Sequence, residues 1–149
     1  MTSPDYPGIT TPMIGALLRL AAQHAHALLF ERLRAAGFDD LRPTHFALFQ
    51  FPGPQGMRPI ELAARLGTTK QVLTPLLNDL DRFGYLERRP VPSDGRGRVL
   101  WLTERGLALV GAMKDILTGI EAEWSQLLGA DRFAVLQDAL RELTEDRSR

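Results

Sequence analysis

Four arginines, Arg88, Arg89, Arg96 and Arg98, fall within eleven residues. Guanidinium groups at that density suit phosphate, whose oxygens they pair with in a planar fork. Upstream, Thr69, Lys70, Gln71, Thr74 and Asn78 share one face of a leucine-bearing segment. A Gln amide can pair bidentately with adenine, and a Lys ammonium can sit on a phosphate. An ordinary solvated helix face and a solubilised hairpin would have similar residue types, but the crowding of arginine favours DNA. Other chemistries find little support. Cysteine is absent, which removes disulfides, thiol catalysis and thiolate metal sites. His24 and His26 are two residues apart, so on a helix they point in different directions, and no metal site or cofactor is expected. No phosphate-binding glycine loop, nucleophile elbow or zinc-protease motif occurs, and Asp39-Asp40 has no visible acid–base partner. The chain is not expected to be an enzyme.

The elements that must carry these residues can be read from periodicity. Thr11 and Pro12 look like a cap and a first helical residue. Behind them Ile14, Leu17, Leu18, Ala21, Ala25, Leu28, Leu29 and Leu33 keep helical spacing up to Gly37. A shorter helix opens at Leu41-Arg42-Pro43-Thr44 and contains His45 through Phe51. A turn-rich loop, Pro52 to Pro59, leads to a third helix, Ile60 to Leu66, broken by Gly67. Thr69 caps a fourth, with Val72, Leu73, Leu76, Leu77 and Leu80 apolar and Gly84 at its end. Two extended runs, 85–89 and 98–102, flank PVPSDGRG and read as a β-hairpin with a charged tip. Thr103 caps a long helix striped by Leu109, Met113, Ile116, Leu117, Ile120, Trp124, Leu127 and Leu128. That stripe is too apolar for a monomer surface and suggests a subunit interface. Gly129 stops it, and Asp131 caps a last helix.

Helix, glycine turn, helix, hairpin is the order of a winged helix-turn-helix, in which the second helix enters the major groove and the hairpin reaches phosphate or the minor groove. Charge agrees. The chain as a whole is formally neutral, with 18 basic and 18 acidic residues. Residues 58–105 carry nine basic and six acidic groups, whereas residues 106–149 carry five and eight. The positive excess therefore lies on the helix-turn-helix and wing.

From about Arg42 to Gly106 the sequence resembles the MarR family of bacterial transcriptional regulators. The resemblance rests on RPTHFALFQF, PIELAARLGTTKQVLTPLLNDLDRFGYLERR and SDGRGRVLWLTERG. Asp94 and Arg96 fall on the family's D-x-R wing positions, where the two side chains would pair and shape the tip. The fold class it implies is mainly α with a small β-hairpin wing, flanked by N- and C-terminal dimerisation helices. The expected organisation is a flexible arm at 1–10, a dimerisation helix at 11–37, a DNA-binding lobe at 38–105 and dimerisation helices at 106–149. The function implied is a homodimeric, sequence-specific regulator of double-stranded DNA, released by a small aromatic or lipophilic effector. His24, His45, Phe46 and Phe49 are candidates for the effector pocket that the resemblance places between the dimer helices and the lobe. Absence of cysteine excludes the thiol-oxidation branch of the family.

Two positions depart from the family pattern. Pro75 lies inside the recognition helix, where it deletes a hydrogen bond and can kink the chain. Base contacts are therefore expected mainly from Thr69, Lys70, Gln71 and Thr74, with Asn78 mattering less. Gly95 stands where the wing commonly has arginine. These departures leave room for a second reading, a winged-helix protein-interaction module with weak or lost DNA binding. No run approaches the ~20 apolar residues of a membrane span. The opening MTSPDYPGITTP lacks a basic n-region and an apolar core, so no signal peptide, no membrane association and a cytoplasmic setting are expected.

Overall fold

The computed structural model describes residues 12–50, 56–91 and 97–145. Helix α1 runs Ile14–Ala35 with Met13 as its N-cap and no side chain on the cap. The expected Thr11-Pro12 start is thus displaced. Extended Met13 (φ −70, ψ 160) occupies the boundary, and its carbonyl takes the first helical N–H groups, from Ala16 and Leu17. Thr11 lies outside the described residues. The second helix is also shorter than its aromatics suggest: α2 is Pro43–Phe46, followed by a 3-10 turn, Ala47–Gln50. Phe51 lies outside the described residues.

Helices α3 (Pro59–Arg65) and α4 (Lys70–Arg82) form the helix-turn-helix. Gly67 and Gly84 end them at φ 64 and φ 81. Each lets the chain reverse through a paired set of bonds, such as Gly84 N–H to Asp81 O and Tyr85 N–H to Leu80 O. Leu73, Leu77 and Leu80 bury one stripe of α4. Val72, expected among them, is 58% exposed, because it lies off that i, i+4, i+7 row. The helix continues through Pro75.

Strands β1 (Leu86–Pro90) and β2 (Arg98–Leu102) pair antiparallel, with Leu86 opposite Leu102 and Arg88 opposite Leu100. Met57 bonds to both backbone groups of Leu100, at 3.0 and 2.8 Å. The segment before α3 therefore lies along the far edge of the wing.

Helix α5 (Glu104–Leu128) is capped by Thr103, whose Oγ1 accepts from Gly106 N–H at 3.1 Å. Gly106 lies hard against the start of the wing: an added Cβ would fall 2.1 Å from Tyr85 O. The α5 stripe divides. Leu109, Met113 and Ile120 are buried within this chain, with α1 packed along α5, while Leu127 remains 81% exposed. Assigning the whole stripe to a subunit interface is therefore corrected, since the chain's own α1 covers much of it. Helix α6 (Ala130–Glu145) has no buried residue. Asp131 sits in its first turn rather than at its cap, where its charge still complements the helix N-terminus.

One apolar core joins all these pieces, from Leu29 and Leu33 of α1 through Leu62, Leu77 and Tyr85 to Leu109 and Ile120 of α5. No helix among the described residues is long and apolar enough to cross a membrane.

Candidate nucleic-acid interface

Thr69 opens α4 by accepting from Val72 N–H at 3.3 Å, so its hydroxyl is engaged as a cap. Lys70, Gln71, Thr74 and Asn78 are all exposed on the helix that follows. Thr74 donates its hydroxyl proton to Lys70 O at 2.8 Å and keeps its oxygen lone pairs free to accept. Across from this face stands the wing. Arg88 donates to Asn78 Oδ1 at 2.6 Å and lies 3.8 Å from Asp81. A cleft of about 500 Å³ opens between helix and wing, lined by Arg58, Lys70, Thr74, Asn78, Arg88 and Arg98, with Pro59, Ile60 and Gly97.

This geometry sorts the residues picked out by the sequence. Lys70, Thr74, Asn78, Arg88 and Arg98 are brought together. Thr69 and Gln71 do not line the cleft; Gln71 lies on the outer side of α4, away from the leucine stripe. Asn78, expected to matter less, is the bridge between helix and wing. Arg89 turns to the other face of the hairpin, as alternation along a strand requires. There it pairs with Glu87 and covers the Trp101 ring at 4.8 Å from its centroid. Arg96, with Asp94 and Gly95, lies outside the described residues. One cationic residue escaped the sequence reading: Arg58, the N-cap of α3. It is isolated in sequence from the arginine cluster, and only the Met57–Leu100 pairing carries it beside the wing.

Behind α4 a second polar cluster ties the recognition helix to α2. Asp79 takes Arg42 at 2.5 Å and Arg82 at 2.8 Å, and its Oδ2 is 3.4 Å from His45 Nε2. Burial pulls the Asp79 pKa up, but His45 and Arg42, then Arg82, outweigh it and hold the carboxyl below its ordinary range. His45 is fully buried, and burial pushes its pKa below that of free histidine despite the opposing pull of Asp79. A third cluster fastens the lobe to α5. Tyr85 donates to Asp40 at 2.5 Å, and Arg105 donates to the same carboxylate at 3.0 Å while lying over the Tyr85 ring. Burial, then the Asp40 contact, holds the Tyr85 phenol well above its usual pKa.

The four effector candidates are placed differently from one another. His45, Phe46 and Phe49 are core residues: Phe46 meets the edge of Phe30, and Phe49 that of Tyr85. His24 is exposed on α1 and stacks on Trp124 of α5 at 6.4 Å. A ligand could reach the three core residues only by displacing packed side chains. Their aromatic spacing reflects packing of α2 rather than an open pocket.

Comparison with known proteins bears on the same region. Residues 40–97 match the model of the MarR family. The transcriptional regulator HosA of Escherichia coli O111:H- is 23% identical over 130 residues, covering 85% of this chain and 96% of that protein. The reduced form of MarR from E. coli superposes with a TM-score of 0.75 and 27% identity, over 89% of this chain and 97% of that one. The transcriptional repressor CouR, bound to a 23-mer DNA duplex, gives a TM-score of 0.73 at 25% identity, over 99% of this chain and 100% of that one.

Proposed function

This chain carries a MarR-family domain across residues 40–97, and from that premise we propose that it is a sequence-specific DNA-binding transcriptional regulator acting as a homodimer. The observation that carries the reading is the cationic cleft between α4 and the wing. Lys70, Arg88, Arg98 and Arg58 converge there beside the hydrogen-bonding groups of Thr74 and Asn78. Cations positioned on two sides of a groove-width helix neutralise phosphate, while amide and hydroxyl groups remain for base edges. The relative CouR is solved with a DNA duplex, and MarR with operator DNA, which supports the same use of this face.

The homodimer rests on unpartnered apolar surface. Ile14 is 69% exposed on α1, and on the C-terminal helices Leu127, Val135 and Leu143 are 81%, 68% and 63% exposed. Soluble monomers rarely leave such a patch uncovered. A second copy presenting the same helices would cover it and set two recognition helices to read a pseudo-palindrome. Repression relieved by a small aromatic or lipophilic effector follows as a population shift: a ligand seated between lobe and dimer helices would favour a spacing that misses the half-sites.

The test is fluorescence anisotropy with the intergenic duplex upstream of the protein's own gene. Saturable binding that weakens steeply with salt supports the proposal. Absence of binding at low salt would leave the protein-interaction module as the better reading.

A further inference from the structure

His45 is the buried polar side chain among the described residues, and it is only half satisfied. Its Nδ1 accepts from Arg42 N–H at 3.0 Å. A ring nitrogen that accepts carries no proton, so the neutral ring holds its proton on Nε2. That Nε2 faces Asp79 Oδ2 at 3.4 Å and has no well-formed hydrogen bond. Arg42 is engaged twice: its backbone N–H on His45 and its guanidinium on Asp79. Two attachments thus run from the first turn of α2 to the recognition helix, and both pass through Arg42.

We propose that His45 is a proton-sensitive positioning residue for the recognition helix, holding α2 and α4 together while its ring is neutral and releasing them when the ring takes a second proton. This rests on the DNA-binding reading given above. The second proton goes to Nδ1, which turns an acceptor into a donor facing the Arg42 N–H donor. The cap on α2 is lost, and a positive ring lies beside Arg42. The ring's attraction to Asp79 grows, but that carboxylate already holds two guanidiniums. The other charges facing the site are Arg42 at the start of α2, Asp79 and Arg82 on α4, and Asp40 before α2, itself held by Arg105 of α5. Phe83 meets the ring edge-on at 6.2 Å and adds no charge. Asp79 precedes Asn78's neighbouring turn on α4 without a break in the helix, and Asn78 holds Arg88. Movement of Arg42 and Asp79 is therefore passed to the cleft.

The sign follows from burial. The folded chain holds His45 below the ordinary histidine pKa. The unfolded chain therefore binds more protons between the two values. The stability that the neutral ring contributes is complete above the unfolded value and is lost as pH falls through that window.

The experiment uses the full chain and His45→Asn, whose side-chain oxygen can still accept from Arg42 N–H but does not titrate. First, without DNA, nitrogen-edge NMR of the wild-type imidazole should show the Nε2–H tautomer at neutral pH. The thermal midpoint of the wild type should fall on acidification more than that of His45→Asn. Second, anisotropy with the upstream duplex at constant salt should show wild-type affinity falling by up to about tenfold per pH unit once the ring titrates, the limit for one proton, with His45→Asn nearly flat. An Nδ1–H tautomer, or equal pH slopes in the two proteins, overturns the proposal. If His45→Asn fails to fold, the wild-type tautomer decides alone. Absence of duplex binding at every pH overturns the DNA-binding reading instead, and the first arm still decides whether the latch exists.

Discussion

Arg88 and Arg89 are adjacent and chemically identical, yet the structure gives them opposite duties. Arg88 lines the cleft and is held by Asn78 at 2.6 Å. Arg89 is spent on Glu87 and the Trp101 face. If the cleft receives a phosphate, Arg88→Ala removes a charged hydrogen bond of about 1.5–3 kcal/mol. At about 1.4 kcal/mol per tenfold, affinity drops on the order of 10- to 100-fold. It also removes one neutralised phosphate, so the slope of log affinity against log salt flattens by about 0.9. Arg89→Ala loses an exposed ion pair and a cation–π contact, about 0.5–1 kcal/mol of wing stability, and leaves the slope alone. The assay is anisotropy of a labelled upstream duplex, titrated at several salt concentrations with wild type and both variants. Melting curves alongside check that each variant is folded. Equal flattening by the two variants, or an unchanged slope in Arg88→Ala, would refute the placement of this face.

Three further outcomes test other parts of the structure. Light scattering should report about twice 16.6 kDa; Leu127→Asp together with Leu143→Asp should give a helical monomer, whereas Ile120→Asp, at a site 2% exposed, should unfold the chain. Gly106→Ala should destabilise by at least about 1–3 kcal/mol, because the new methyl would meet the Tyr85 carbonyl and neither backbone can yield; Gly111→Ala, with nothing within 4 Å, should raise the melting midpoint, since Ala is favoured by about 1 kcal/mol in a helix interior. Pro75→Arg restores a helical N–H and adds a cation on the outer side of α4, so duplex binding should tighten and the salt slope steepen by about one; an unchanged slope would mean that position 75 does not face DNA.

Periodicity and capping chemistry made most of the elements legible. The leucine rows, Thr69 and Thr103 as caps, and the glycines that end helices act within a few residues, so they survive whatever the rest of the chain does. The lobe-wide charge excess was legible for the same reason, because it is a sum over a segment. Boundaries set by finer backbone geometry were less so. Met13 rather than Thr11 starts α1, and α2 tightens into a 3-10 turn, because these depend on how each end meets its neighbours.

What the sequence by itself determined is the set of amphipathic helices, the hairpin and the basic character of the lobe. Tertiary structure decided which side chains share a space. It drew Arg58 to the cleft through a backbone pairing with β2, and it separated Arg88 from Arg89 by the pleat of the strand. It divided the α5 stripe between the chain's own core and a face left open, and buried His45 beside Asp79. Each of these depends on contacts between residues far apart in sequence. Local pattern specifies which face of a helix is apolar, but not what will cover it.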